Sequence, residues 1–192
     1  NQWTQLGLDI EGEAVEDNSG HSVSLSSDGM IVAIGAPYND GNGENSGHVR
    51  VYKNNSGTWQ QIGSDIDGEA SGDASGSSLS LSADGSFVAI GAYGGESNSG
   101  QVKIFKNNNG TWEHISAFGI GNPGGSAISV SLSDDGSVVA GGAQGWDDGS
   151  YTHGEVRIYE NDSGSLGQIG DTAINDRDDD DKTGERISIS GD

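Results

Sequence analysis

Cysteine is absent from the 192 residues, which excludes a disulfide framework, a thiolate metal site and a thiol nucleophile. Basic residues are scarce as well. Eight Lys and Arg stand against thirty Asp and Glu, a net charge of −22. So negative a surface repels phosphate backbones and anionic lipids, which sets nucleic acid aside as a partner. No apolar run approaches the ~20 residues that a membrane-spanning helix needs, so membrane insertion is not expected either. Cations, cationic proteins and neutral polymers such as glycans remain. Only two prolines occur, Pro37 and Pro123, both in expected loops, and no stretch shows helical periodicity. The first residues carry no signal-peptide pattern, and the chain opens and closes in mid-repeat, as a piece of something longer would.

What is abundant is glycine, 34 residues, together with a repeat. Ser22 to Ala36 reads SVSLSSDGMIVAIGA, and it returns as SLSLSADGSFVAIGA from Ser78 and as SVSLSDDGSVVAGGA from Ser129. In each copy a run alternating serine with Val, Leu or Ile meets an Asp-Gly turn and a second apolar run, the pattern of a β-hairpin. Period-two alternation places Val23 and Leu25 on one face and the serines on the other. Asp-Gly suits the positive φ angles of tight hairpin turns.

A third strand follows each hairpin: His48 to Lys53, Gln101 to Lys106 and Glu155 to Glu160. A fourth is marked by Trp59-Gln-Gln-Ile62, Trp112-Glu-His-Ile115 and Leu166-Gly-Gln-Ile169. Trp3-Thr-Gln-Leu6 is a further copy at the amino end. The spacing from Trp3 to Trp59 is 56 residues and from Trp59 to Trp112 it is 53. A period above fifty suits a four-stranded propeller blade. The expected fold is therefore all-β, with strands a to d in each blade. Residues 1–20 would hold a terminal d strand and an acidic loop, 21–76 the first blade, 77–125 the second, 126–185 the third, and 186–192 the first strand of another.

The segment from Val32 to Asp40, VAIGAPYND, followed by Gly47-His-Val-Arg-Val-Tyr52, resembles the FG-GAP repeat of the integrin α-subunit propeller. The resemblance implies blades of a larger, seven-bladed extracellular module for adhesion or ligand binding. One departure matters. The family's calcium loop lies between strands a and b, where this chain has only Ser-Ser-Asp-Gly, Ser-Ala-Asp-Gly and Ser-Asp-Asp-Gly, so that metal site is not carried over.

Antiparallel connection places the b–c and d–a loops at one end of the blades and the a–b and c–d turns at the other. The b–c loops display Tyr38, Asn39 and Asp40, then Tyr93, then Trp146, Asp147, Asp148 and Tyr151. Exposed rings beside amides and carboxylates suit sugar rings or a protein partner, and loop self-packing is the other reading. In the d–a loops, Asp9, Glu11, Glu13 and Asp17 match Asp65, Asp67, Glu69 and Asp73 at relative positions 1, 3, 5 and 9. That spacing offers calcium several oxygens; a solvated acidic rim is the alternative. At the opposite end Asn54, Asn109 and Asn161 open N-glycosylation triplets in turn-rich sequence. The recurrence of Arg50, Lys53, Lys103, Lys106 and Arg157 on strand c suggests pairing with carboxylates of the same or the adjacent blade.

The four histidines show no catalytic or metal-ligand spacing, and no serine sits in a nucleophile elbow. Catalysis is not expected, since the acidic residues recur blade by blade. Two functions remain: an extracellular or cell-surface binding module for a glycan or protein, with or without calcium, or a structural protein whose blade edges pair with other copies or further blades.

Overall fold

The computed structural model describes residues 2–94, 100–121, 128–147, 152–162, 165–170, 174–175 and 183–191. Every regular element among them is a β-strand. The first blade is built from β1 (Ser22–Leu25), β2 (Ile31–Ala36), β3 (His48–Asn55) and β4 (Thr58–Gln61), in that spatial order, with the short β5 (Ile66–Asp67) also pairing β3. The second is β6 (Ser78–Leu81), β7 (Phe87–Ala92), β8 (Gly100–Asn108) and β9 (Thr111–Ile120). The third is β10 (Ile128–Leu132), β11 (Val138–Asp147), β12 (Thr152–Asp162) and β13 (Ser165–Gln168), with β14 (Ile174–Asn175) against β12. All pairings within these sheets are antiparallel.

The hairpin turn is built differently from the sequence expectation. Gly29 alone takes the positive φ, at 70°, and Asp28 does not. The aspartate acts instead as a clamp: its Oδ1 accepts from the Ser26 hydroxyl at 2.6 Å and the Met30 N–H at 2.9 Å. Asp84 and Asp135 repeat this with Ser82 and Ser86, and with Ser133 and Ser137. Hydrogen bonds to the ionised form hold these carboxyls below the usual range. For Asp135 the Ser137 hydroxyl and N–H, then Ser133, bring it to about 2.

The apolar residues of strand a point toward the preceding blade. Leu79 and Leu81 share a core with Ala33, Val49, Val51 and Ile66 of the first blade. Val130 and Leu132 do the same with Val102, Ile104 and Phe118 of the second. Each such side chain stabilises the interface by about 2 kcal/mol. The serines point the other way and become acceptors across the gap. Ser24 Oγ takes the Leu81 N–H, Ser78 Oγ that of Val130 and Ser80 Oγ that of Leu132, each at 3.0 Å. Strand a is a sheet edge, so its outward N–H groups would otherwise lack protein partners.

Residues 2–20 and 185–191 form no strand, although both ends keep repeat-like contacts. Trp59 Nε1 donates to the Leu6 carbonyl at 2.9 Å, and Ile189 N–H donates to Ser131 Oγ at 3.0 Å. A strand needs a neighbour of its own sheet, and the described residues give these segments none. Val23 and Leu25 are 55% and 56% exposed, where Leu79 and Leu81 are buried, because no blade among the described residues faces them as the first blade faces Leu79 and Leu81.

Candidate functional site

At the b–c and d–a end of the first blade, charged groups from three segments converge. β3 carries His48 and Arg50; the loop before β1 brings Glu13; and Asp65 directly precedes β5. The Arg50 guanidinium pairs with Glu13 through one terminal nitrogen, and its Nε donates to Asp65 Oδ2 at 3.1 Å. His48, 3% exposed, places Nδ1 3.9 Å from Glu13 Oε2 and 3.7 Å from Asp65 Oδ2. Asn39 closes the rim, donating from Nδ2 to Asp17 Oδ2 at 2.8 Å and to Glu13 Oε2 at 3.3 Å.

The other two blades show how the plain version of this arrangement works. Lys103 and Arg157 occupy the register of Arg50, opposite Ile90 and Gly141 as Arg50 is opposite Ile34. Lys103 pairs with Glu69 at 3.0 Å, across the blade boundary as Arg50 pairs with Glu13. In the third blade the loop offers Gly121 where the others have glutamate, and strand c supplies the carboxylate itself. Glu155, at the register of His48, accepts from Arg157 Nε at 2.6 Å and from the Gly121 N–H at 3.0 Å. The basic residues of this register thus pair as the sequence suggested.

The carboxylates expected to share one calcium ion do not converge within either loop. Asp9 accepts from Gln5 Nε2 at 2.7 Å. With Glu11 it lines a hollow of about 330 Å³ against Tyr52 and Trp59. Asp17 is buried and folds back on the Ala14 N–H, and Asp73, equally buried, accepts from the Glu69 and Ala70 N–H groups. Asp65 and Asp67 flank the buried Ile66, which pairs with Val49, so strand alternation produces their spacing. Glu69 is engaged with Lys103. Among the described residues, the group of three whose ligand atoms lie within 4.8 Å of one another is Glu13, His48 and Asp65. It joins two loops to β3, and no spacing pattern in the sequence marks His48 as their partner.

Of the expected ligand-contacting residues, Tyr38 is 47% exposed. Asn39 is buried in the network above, and Asp40 Oδ1 accepts from the Asn45 N–H at 2.8 Å. Tyr93 is half-buried against the core between the second and third blades. Trp146 and Asp147 end β11, in register with His153 and Thr152, so that part of the expected loop is strand backbone. Asp148 and Tyr151 lie outside the described residues. At the other end, Asn54 is 7% exposed and its Nδ2, the atom a glycan would join, is buried. Asn109 is exposed with φ of 52°, and Asn161 is half-buried at the end of β12.

The fold and these blade contacts define a β-propeller module. Residues 11–52 match the FG-GAP repeat. Among curated proteins no relative matches the sequence. Solved structures with a similar fold include a putative 6-phosphogluconolactonase from Bacteroides uniformis, 18% identical over 84% of this chain with a TM-score of 0.54. A hypothetical selenium-binding protein from Sulfolobus tokodaii gives 13% over 80% and 0.55. Sqt1 from Saccharomyces cerevisiae gives 14% over 87% and 0.54. The chain spans 42%, 40% and 37% of their lengths.

One expectation falls here. The blade-by-blade recurrence of acidic residues argues against catalysis, yet a putative 6-phosphogluconolactonase shares this architecture. Blade-wise repetition does not exclude an enzyme on this scaffold.

Proposed function

We propose that the chain is part of an extracellular or cell-surface binding module, offering the b–c and d–a loops to a glycan or protein ligand. The observation that carries this reading is the rigidity of the first b–c loop. Asn42 Nδ2 donates to the Gly68 carbonyl at 2.8 Å, Gly72 N–H to the Glu44 carbonyl at 2.9 Å, and Ala74 N–H to the Asn45 carbonyl at 3.0 Å. These bonds staple the loop to the neighbouring d–a loop, so Tyr38 projects from a fixed platform. A ring held in this way binds without the entropy cost of ordering a mobile loop. The reading does not call on calcium. A glycan array probed with the labelled chain and with Tyr38→Ala tests it: defined hits weakened in the variant support it, and an empty or unchanged array opposes it.

A second reading has its own observation. Trp3 is 98% exposed, and Val23 and Leu25 are exposed at positions that are buried in the next two blades. A further blade, from the same polypeptide or from another copy, would cover this face as the first blade covers Leu79 and Leu81. Light scattering decides between the sources: a concentration-dependent rise in mass that Leu25→Ser abolishes favours copies, and a constant monomer mass excludes them.

A further inference from the structure

We infer that Glu13, His48 and Asp65 form a binding site for a first-row divalent metal ion of the zinc type. Among the described residues, Lys103 in the second blade pairs with one carboxylate, Glu69, and Arg157 in the third pairs with one, Glu155, and donates to the Gly119 carbonyl. The first blade adds two groups beyond that need. At the register of His48 the second blade has Gln101, opposite Ala92 as His48 is opposite Ala36. At the position of Asp65, one residue before the partner of the strand-c valine, it has Ala117. Both additions face the same point.

The geometry is that of a ligand set. Three ligands around a tetrahedral ion with bonds of 2.0–2.1 Å lie about 3.4 Å apart. His48 Nδ1 is 3.7 and 3.9 Å from the two carboxylate oxygens, too far for hydrogen bonds and within a few tenths of an ångström of ligand spacing. The imidazole is 4% exposed, and its Nδ1 lies between the two carboxylates. An imidazole nitrogen with two carboxylate oxygens selects zinc and its neighbours rather than calcium, which takes six to eight oxygens.

Arg50 grips Glu13 through the other oxygen, Oε1, and Asn39 steadies Oε2. The Arg50 Nε also donates to Asp65 Oδ2 at 3.1 Å, which takes one lone pair of that oxygen and leaves the other for an ion. These are the outer partners that orient metal-ligating carboxylates. Two carboxylates and one guanidinium leave a charge of −1 before the ion enters. Three protein ligands leave a fourth position open on the same end of the blade as Tyr38.

The inference does not rest on the ligand reading above, because its test reads the ion alone. Zinc chloride is titrated calorimetrically into the chain and into His48→Gln and Asp65→Ala, which install the second blade's own residues, with circular dichroism confirming their fold. One ion per chain is expected, with affinity lower by about a hundredfold or more in each variant and no competition from equimolar calcium. Cobalt substitution should give the intense visible bands of a four-coordinate site, and His48→Gln should lose them. No heat with the unaltered chain, or equal binding in His48→Gln, overturns the inference. Should one variant misfold, the other decides.

Discussion

The indole Nε1 of Trp112 donates a hydrogen bond to the carbonyl oxygen of Ile62, 2.9 Å away in the adjacent blade. Trp59 makes the same bond to Leu6. The outer strands are therefore stitched blade to blade, while the serines do this at the inner strands. Trp112→Phe keeps an aromatic ring and deletes the donor. It is expected to cost about 1 kcal/mol, and Trp59→Phe, at an exposed bond, less. Urea denaturation of the two variants measures the difference.

Leu81 and Leu25 hold the same repeat position and differ only in what faces them. Leu81 is 7% exposed and Leu25 56%. Leu81→Ala should destabilise by about 2–4 kcal/mol, and Leu25→Ala by less than about 1. Equal effects in thermal melts would mean that Leu81 does not face the first blade.

Glu155 is 5% exposed and relies on Arg157 for its charge partner. Removing the arginine strands a buried carboxylate, so Arg157→Gln should cost about 2–3 kcal/mol, a figure reduced from the fully buried case because Arg157 is partly solvated. Adding Glu155→Gln should recover much of the loss. The double-mutant cycle in urea measures that coupling.

Asp135 is held at about 2 in the folded chain against an ordinary 3.8. A depressed carboxyl contributes stability above its unfolded pKa and loses it as pH falls through the folded value. The stability gap between the unaltered chain and Asp135→Ala should be full at pH 7 and close between about pH 4 and about pH 2. Denaturation curves across that range test it, and a gap independent of pH contradicts the clamp.

Blade architecture was legible because burial imposes period two on each strand and the unit recurs. The Asp-Gly turns and the Trp-x-Gln-Ile strand could be read directly. Partners in space could not. Asp65-Ile-Asp67 reads as a metal loop in one dimension, yet Ile66 is drawn into the core opposite Val49 and makes the pair of aspartates a strand feature. Asp17 and Asp73 cap their own loops, which looks like metal spacing because a tight turn brings the same atoms inward. His48 acquires meaning only once β3 lies between two acidic loops of different blades.

Consecutive blades lie side by side, with inner-strand serines closing the gap. Leu81, Val130 and Leu132 expose edge amides that have no partner within their own sheets, so amide hydrogen exchange at these three residues is the most direct test. Strong protection is expected, falling at Val130 in Ser78→Ala and at Leu132 in Ser80→Ala. Rapid exchange of all three in the unaltered chain would show that the blades do not meet in this way.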